Sequence, residues 1–454
     1  MAPRPPGPLS SSPLGILPEF RRDPLGTVSE AFRRFGDCVR LPGLFGQPVY
    51  LLNDPEAIRT VLVAHAGDVE KPAPLKRIFR SSFGNGLFFS EGSFWRRQRK
   101  LAQPAFHHKR IQAYADLMVQ RGQNLLATWQ DGQIREIRKD MSALALEIVV
   151  DALFRSTVAE QTAPIYSAMS DLGQALEQQS ITNPLLALLP DWAPLPLMRR
   201  KRRASATLDA IVYRFIAEHR RSGADQGDLL AMLMQAEDER GQRMSDRQLH
   251  DEVMTVFIAG HETSAITLTW ALALLAQHPE AEVRLHAELD AVLGGRPPTL
   301  DDLPHLPYTE QVVKETLRLY PPAWLLLRQT IAEVPLGPYR IAKGAQVWVC
   351  PYTMHRHPRF YPAPEAFQPE RFGPDASGQD LEARLPKSAY LPFGAGPRIC
   401  IGNMFALLEL RLLLALVAQR FRLELLPAAP IELHAGPTLG FKQGASMRVI
   451  ERKL

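Results

Sequence analysis

A long apolar stretch in the second half of the chain limits the possible folds more than any other feature. Between residues 245 and 277 the apolar side chains recur three and four positions apart, without a proline. Ser245 and Gln248 have the spacing of a capping box, and His278-Pro279 gives a stop signal. We therefore predict one helix of ~32 residues, about 48 Å long, that crosses the whole molecule.

The other patterns predict a mainly α fold with a minor β part, in a single domain covering residues 1–454. Helical periodicity extends from about residue 105 to 277, except for a proline-containing loop at 183–198. Prolines are frequent, 39 in 454 residues, which suits many fixed corners between elements. The remaining predictions are a Pro-rich lead-in (1–30), a short extended segment (49–52), helices at 308–320 and 404–420, β structure at 324–349 and an irregular Pro- and Gly-rich segment at 351–399.

Charge and cysteine content narrow the class of protein. Lys and Arg exceed Asp and Glu by 53 to 48, a mild balance for this length that gives no indication of a nucleic-acid partner. The three cysteines are far apart, so they form no disulfide framework and indicate a reducing compartment. Neither a signal peptide nor a membrane-spanning apolar run is apparent. We expect a cytoplasmic protein without a transmembrane anchor.

The most informative segment surrounds Cys400, directly before the last predicted helix. Backbone N–H groups and a helix N-terminus next to a cysteine both favour its thiolate form. Glycines on each side let the backbone close around the sulfur, because they have no Cβ to clash. Arg398 places a cation two residues away, where it could bind a carboxylate on a ligand. For a lone cysteine, an inert buried thiol would be the more usual interpretation.

The spacing of this segment resembles the cysteine motif of the cytochrome P-450 family, F-x-x-G-x-R-x-C-x-G. The matching residues are Phe393, Gly396, Arg398, Cys400 and Gly402. The resemblance implies haem b as cofactor, with Cys400 as the axial iron ligand and the other four around the haem. It also implies the cytochrome P-450 fold, with a long central helix over the haem.

A second match lies on the long predicted helix, in the sequence AGHETS from Ala259 to Ser264. It resembles the family's A/G-G-x-D/E-T-T/S segment. Ala259 and Gly260 are small, which would leave room for dioxygen. The Thr263 hydroxyl can bond back to a carbonyl one turn earlier and loosen the helix there. Glu262 is an acid that could supply protons. The resemblance makes Glu262 and Thr263 the candidate catalytic residues.

Two further matches are structural or concern the haem propionates. Glu315 and Arg318 share a helix face, and with Arg371 they resemble the family's buried Glu-Arg-Arg cluster. Trp95 and Arg99 match W-x-x-x-R and lie one helical turn apart, as binding of one propionate would require. Arg328 occupies a position where the family often has another propionate-binding cation, although no tight motif surrounds it.

The resemblance implies a haem-thiolate monooxygenase that inserts one oxygen atom from O2 into an apolar substrate. Since no flavin or iron–sulfur module is visible, we expect electrons from a separate ferredoxin with its reductase, or from a flavodoxin. A fatty acid, terpenoid, steroid or polyketide would suit an apolar pocket. By family analogy, the pocket lining comes from residues 79–89, 185–197, 256–259, 322–327 and 439–441.

Two alternatives come from other functional classes. A haem-thiolate isomerase or dehydratase would rearrange a peroxide without external electrons, but such members tend to lose the acid–threonine pair that Glu262 and Thr263 preserve. A binding protein with a silent haem would show no NAD(P)H-dependent oxygen consumption.

Histidines and basic clusters offer weaker signals. His107-His108 and His355/His357 lack zinc spacing, so we expect exposed loop histidines. The basic run 199–203 predicts a solvated helix start or, alternatively, a membrane-resting patch. A second basic group could bind an acidic electron donor or could simply be solvated; it comprises Arg96, Arg97, Lys100, Lys109 and Arg110.

Overall fold

The computed structural model describes residues 3–9, 12–154, 159–179, 186, 189–222, 227–426 and 431–453. Its helices are α1 (Leu17–Arg22), α2 (Pro24–Phe35), α3 (Pro55–Arg59), α4 (Ala73–Phe83), α5 (Gly92–Ala102), α6 (His108–Gln112), α7 (Ala115–Leu126), α8 (Ile137–Phe154), α9 (Ala159–Glu177), α10 (Pro196–Ser222), α11 (Leu229–Gln235), α12 (Asp246–Gly260), α13 (Glu262–Gln277), α14 (Pro279–Leu293), α15 (Pro307–Leu319), α16 (Pro351–Met354), α17 (Leu381–Arg384) and α18 (Asn403–Arg420). Its strands are β1 (Cys38–Pro42), β2 (Pro48–Leu52), β3 (Val69–Glu70), β4 (Ile134–Glu136), β5 (Leu326–Thr330), β6 (Val334–Leu336), β7 (Tyr339–Ile341), β8 (Gln346–Val349), β9 (Phe421–Leu425), β10 (Leu433–Ala435), β11 (Leu439–Phe441) and β12 (Ser446–Glu451).

Two compact units are formed from alternating parts of the chain. Unit 1 comprises residues 1–73, 314–400 and 433–440, and unit 2 comprises residues 74–313, 401–432 and 441–454. The mainly α architecture with a minor β part is as the sequence predicts.

Unit 1 is organised around a five-stranded sheet in the order β1-β2-β8-β5-β3. β2 and β8 run parallel and pair Val49 with Gln346, and the other neighbours are antiparallel. Alternation of buried and half-buried residues along β8 shows that one face of the sheet covers a core. The predicted β structure at 49–52 and 324–349 is thus confirmed.

Unit 2 is helical apart from the small sheet β4-β12-β9. The helix α13 and the part of α18 from Leu408 to Gln419 are mainly apolar and largely buried, as expected for helices inside a bundle. α8 packs against α12 within the same hydrophobic cluster, which also contains Phe89, Val253 and Phe257. The predicted helices at 308–320 and 404–420 are confirmed within one residue at each end.

The long central helix is divided in two, which corrects the prediction of one continuous helix. The Ser245 capping box and the end at Gln277 are as predicted, but α12 ends at Gly260 and α13 begins at Glu262. The Nδ1–H of His261, at the junction, donates to the carbonyl oxygen of Phe257 at 2.7 Å. Thr263 donates its hydroxyl to the carbonyl oxygen of Ala259 at 2.8 Å, and such back-bonding competes with the helix ladder.

Other boundaries also differ from the prediction. The Pro-rich lead-in contains α1 and the start of α2, which continues to Phe35. Their prolines Pro18 and Pro24 lie in the first helical turn, where no backbone N–H is needed. For the same reason α10 begins at Pro196, inside the predicted loop. The predicted helical region is also interrupted by β4. Part of the predicted loop, at 183–185 and 187–188, lies outside the described residues.

Several polar residues predicted to be solvated are buried. His355 is fully buried and accepts a hydrogen bond from the Leu391 N–H at 2.9 Å. Lys201 is also buried and donates to Asp191 and to the Ser81 hydroxyl at 2.9 and 2.7 Å. Leu391 and Ser81 are 36 and 120 positions from the residues they bind, so local sequence does not reveal these two contacts.

Within the described residues, no helix combines the length and hydropathy needed to span a bilayer. The assignment of residues 1–454 to a single domain and the cytoplasmic location stay predictions.

Candidate functional site

The loop before α18 has a geometry that depends on glycine. Gly394 and Gly396 have φ values of +76° and +70°, a region that other residues rarely adopt. A Cβ on Gly396 would lie 2.1 Å from the carbonyl oxygen of Leu62, so that backbone approach also requires glycine. The Cys400 N–H donates to the Phe393 carbonyl at 3.0 Å and closes the loop. The Cys400 side chain at the end of this loop is exposed.

The other two cysteines are held as thiols. Cys350 is fully buried, and burial raises the pKa of its thiol to about 11. Burial, followed by the charges of Asp54 and Asp37, raises the pKa of Cys38 to about 12. A thiolate ligand for a metal is therefore disfavoured at both positions. The exposed Cys400 is the cysteine best placed to act as a ligand.

The junction between α12 and α13 presents a small exposed patch on an otherwise buried helix. Ala259 is exposed, whereas Phe257 and Ser264 are buried. A Cβ on Gly260 would lie 2.9 Å from a methyl group of Val149 on α8, so the glycine also permits close helix packing. Close packing is thus a second reason for a small residue here, besides the room for dioxygen expected from the motif.

Two acids lie close to this junction. Glu262 is partly exposed, with its Oε1 3.8 Å from an Arg138 guanidinium nitrogen. Ser264 donates its hydroxyl to Oε2 of the fully buried Glu409 on α18, at 2.5 Å. Burial raises the pKa of Glu409 to about 8. Glu409 was not predicted from the sequence, although an acid within the apolar run 404–418 was a usable signal.

The candidate propionate-binding residues fall into two groups. Trp95 and Arg99 are half-buried on α5 in unit 2, one helical turn apart as predicted. Arg328 is half-buried on β5 in unit 1. Arg398 is half-buried in unit 1, in a short 3-10 helix before Cys400. One guanidinium nitrogen of Arg328 donates to the Leu327 carbonyl at 2.9 Å. Gly402 is the N-cap residue of α18 in unit 2.

The predicted Glu-Arg-Arg cluster is present and buried. Arg318 donates to both oxygens of Glu315 at 2.7 and 2.8 Å, and Arg371 approaches Glu315 Oε1 at 3.4 Å. The side chains of Glu315 and Arg318 are fully buried. Arg318 also donates to the carbonyl oxygens of His355, Pro364 and Ala366, which fixes the irregular segment that leads towards Cys400.

Comparisons with known proteins agree with these motifs. The sequence model of the Cytochrome P450 family matches residues 5–444. The chain belongs to the cytochrome P450 family. Cyclooctatin synthase of Streptomyces melanosporofaciens is 39% identical over 88% of this chain and 87% of its own length. Pentalenene oxygenase of Streptomyces avermitilis is 33% identical over 96% and 94%.

A solved cytochrome P450 has the same fold. Retinoic-acid-bound cyanobacterial CYP120A1 superposes with a TM-score of 0.87 at 26% identity and covers 100% of both chains. A second Streptomyces melanosporofaciens relative, cyclooctat-9-en-7-ol 5-monooxygenase, is 39% identical over 84% of this chain and 82% of its own.

Membership of this family makes the protein an oxidoreductase of the P450 monooxygenase type, with haem b held by a cysteine thiolate. The residues present fit that cofactor. Cys400 is exposed at the end of a loop shaped by glycines, whereas Cys38 and Cys350 favour the thiol form. Ala259 leaves an exposed, small surface on a buried helix, as access to a flat cofactor would require.

Proposed function

We propose that this cytochrome P450 uses Cys400 as its axial haem ligand and inserts one oxygen atom into an apolar, terpenoid substrate. The observation that supports this proposal most strongly is the exposed Cys400 at the end of a loop that requires glycine. The names of the relatives, two monooxygenases or oxygenases among them, favour this reaction over the isomerase alternative. A haem with a thiolate ligand supplies, when bound, the activation of dioxygen.

The cofactor-binding residues in this proposal have separate roles. Trp95, Arg99, Arg328 and Arg398 would bind the propionates, because guanidinium and indole N–H groups donate to carboxylates. Phe393, Gly396 and Gly402 would shape the loop around the sulfur. Ala259 and Gly260 would keep the helix surface small where dioxygen binds.

Glu262 and Thr263 would move protons to that surface. Glu262 is partly exposed and so can exchange protons with solvent. The Thr263 hydroxyl, while donating to the Ala259 carbonyl at 2.8 Å, still has lone pairs that accept from a water molecule. A hydroxyl held this way orients water next to Ala259 and can pass a proton on.

Replacing this hydroxyl tests the proton role. Thr263→Ala should bind haem normally but divert electrons into hydrogen peroxide, because proton delivery is impaired. Thr267→Ala, which removes a similar back-bond at 2.9 Å one turn later, is the matched control. The ratio of product to peroxide per NAD(P)H oxidised measures the effect. Unchanged coupling in Thr263→Ala would remove Thr263 from the mechanism.

An apolar substrate is supported by the aromatic residues of α4 and of the loop that follows it. Phe79, Phe83 and Phe89 are buried and stacked, with the Phe79 and Phe89 ring centroids 5.2 Å apart. Phe88 contacts Phe89 edge-on but remains 47% exposed. Exposed aromatic surface next to a buried aromatic cluster is suited to an apolar ligand. Of the apolar classes, terpenoids are favoured by the relatives named above.

The substrate proposal is tested by ligand-induced spectra and by product analysis. Pentalenene, cyclooctat-9-en-7-ol and retinoic acid are titrated into the ferric protein, and displacement of iron-bound water is read as a spin-state shift. At least one of the first two should give the shift and, with a ferredoxin and its reductase, a product heavier by one oxygen atom. A shift with retinoic acid alone, or with none, would contradict the terpenoid hydrocarbon or alcohol assignment.

We also propose that electrons come from an acidic ferredoxin or flavodoxin. Of the basic group singled out in the sequence, Arg97 is bound to Asp238 at 2.6 Å and Lys100 to Glu239 at 2.5 Å. Arg96, Lys109 and Arg110 are exposed. These three therefore remain as cations able to attract a donor.

Reversing one of these charges tests the donor surface. Arg96→Glu should raise the apparent KM for the donor several-fold at low salt, with less effect at high salt because ions screen the attraction. The control is Lys343→Glu, a charge reversal in the exposed turn between β7 and β8. If the two variants behave alike, Arg96 has no specific part in docking.

A further inference from the structure

Two adjacent buried acids on α12 hold a loop of another part of unit 2. Asp251 and Glu252 are 8% and 3% exposed. Asp251 Oδ2 accepts the Asn85 N–H at 2.8 Å, and Glu252 Oε2 accepts the Leu87 N–H at 2.9 Å. Alternate backbone amides of one loop are thus bound by consecutive carboxylates.

The backbone of this loop also packs directly against α12, with no room for a side chain at two of its positions. A Cβ on Gly86 would lie 2.2 Å from the Asp251 carbonyl oxygen and 2.3 Å from the Thr255 hydroxyl. Gly84 has a φ of +70°, and a Cβ there would overlap the Asp251 carboxylate. The contact therefore requires glycine at both positions, which indicates that the loop packs on the helix in one specific position.

Glu252 connects this contact between the loop and α12 to a further helix, α5. Its Oε1 accepts the Gln98 side-chain N–H at 3.0 Å, and Gln98 lies on α5 between Trp95 and Arg99. The side-chain oxygen of Gln98, Oε1, accepts a hydrogen bond from Arg97 at 3.2 Å, which fixes the orientation of the Gln98 side-chain amide. One buried carboxylate thereby links the loop, α5 and α12.

The anchored loop continues directly into the exposed Phe88. Its neighbour Phe89 is fully buried, and the Phe89 carbonyl accepts from Arg80 at 3.1 Å. The position of Phe88 is consequently fixed from both sides, by the contacts of residues 84–87 with α12 before it and by buried Phe89 after it.

We propose that Asp251 and Glu252 are positioning residues that lock the loop of residues 84–89 onto α5 and α12 and thereby set the enzyme's affinity for bulky apolar ligands. The inference rests on the proposed function, because it takes Phe88 as part of the substrate-facing wall. A released loop would have to be ordered again on each binding event, and the apparent affinity falls by the fraction of molecules with the loop in place.

Exchanging the two side chains that meet at Glu252 gives a sharp test. In Glu252→Gln, either orientation of the new amide points an NH2 group at a donor, the Leu87 N–H or Gln98. The double variant Gln98→Glu/Glu252→Gln places the carboxylate on α5 instead, where it would accept from Arg97 and from the new amide NH2 on α12. The carbonyl of that amide would accept the Leu87 N–H. The swap thus restores the bonding pattern with the same net charge.

Two measurements on the haem-loaded protein read the result. Hydrogen–deuterium exchange reports opening of residues 84–89. The second measurement compares the Kd of clotrimazole with that of imidazole. Both ligands bind ferric haem through a ring nitrogen, but clotrimazole is bulky and imidazole is small, so a displaced Phe88 should affect clotrimazole alone. In Glu252→Gln, exchange should accelerate and the clotrimazole Kd should rise about tenfold, while the imidazole Kd stays within about twofold. The swap should restore both, and the exposed-site control Glu239→Gln should change neither.

The outcomes separate this inference from the proposed function. Absence of the thiolate-type spectrum of the reduced carbon monoxide complex in the wild type would overturn the function itself. With that spectrum intact, unchanged exchange, equal changes for both azoles or failure of the swap to restore binding would overturn the inference. If Glu252→Gln does not fold, Gly86→Ala carries the test, because its methyl group displaces the loop without changing charge. The same selective loss of clotrimazole binding is then expected, and its absence refutes the proposal.

Discussion

Two buried glutamates, Glu315 and Glu252, are held by different chemistry. Glu315 is fully buried and receives three hydrogen bonds from the guanidinium groups of Arg318 and Arg371. Glu252 is 3% exposed, and the groups that donate to it are uncharged amides, those of Leu87 and Gln98. Burial accordingly raises the pKa of Glu252 to about 7.

The difference separates a carboxylate bound by charged guanidinium groups from one bound by neutral amides alone. Paired guanidinium groups compensate the desolvation of the Glu315 carboxylate, so the irregular segment of unit 1 is fixed by charges. Neutral amides compensate less, and the Glu252 carboxyl can gain or lose a proton near neutral pH. The rigid cluster serves the segment leading to Cys400, whereas the titratable one holds a loop proposed to face the substrate.

Breaking the charged cluster should have the largest effect. Arg318→Ala removes both bonds to Glu315 and three to backbone carbonyls. It leaves a buried carboxylate with Arg371 as its remaining cation and the Gln368 N–H as a neutral donor. We expect the free energy of unfolding to fall by about 3–5 kcal/mol, with loss of haem on mild heating. Arg340→Ala, which breaks an exposed pair with Glu333, should cost about 0–1 kcal/mol. Denaturant titration measures both, and similar losses would show that burial is not what matters.

The Glu252 cluster should instead make the free energy of unfolding depend on pH. The folded pKa of Glu252 is about 7 against 4.5 for an unperturbed glutamate, so the native state binds the proton more tightly than the unfolded state. The stabilisation is therefore present at low pH and is lost as pH rises from about 4.5 to about 7, by about 3 kcal/mol. Glu252→Gln cannot lose a proton and should lack this decline.

The difference between the two unfolding curves isolates Glu252. Burial also raises the pKa of Glu282 to about 7 and that of Glu409 to about 8, but both residues titrate in wild type and variant alike. Parallel stability curves between about pH 5 and 7 would mean that Glu252 stays ionised and that the two clusters do not differ in kind.

The same contrast explains what the sequence could predict. Glu315 and Arg318 are three residues apart on one helix, so their pairing is readable locally and the motif supplies Arg371. Glu252 and Gln98 are 154 positions apart and lie on different helices. Nothing in either segment indicates the other, so only the folded chain reveals the contact.

Helix periodicity had a similar limit. It predicted the ends of the central helix and the Thr263 back-bond correctly, because caps and hydroxyl bonds are local. It missed the interruption at His261, because an apolar repeat on both sides of a junction does not show that one helix ends and another begins there. Buried His355 and Lys201 were also missed, since a backbone N–H 36 positions away binds His355 and a side chain 120 positions away binds Lys201.

The reduced carbon monoxide complex tests the central claim, the thiolate of Cys400, most directly. Wild type and Cys38→Ala should both show the long-wavelength Soret band of a haem with thiolate ligation, because Cys38 is held as a thiol. Cys400→Ala should lack the band even after reconstitution with hemin. A long-wavelength band that persists in Cys400→Ala would show that another group binds the iron and would contradict the account.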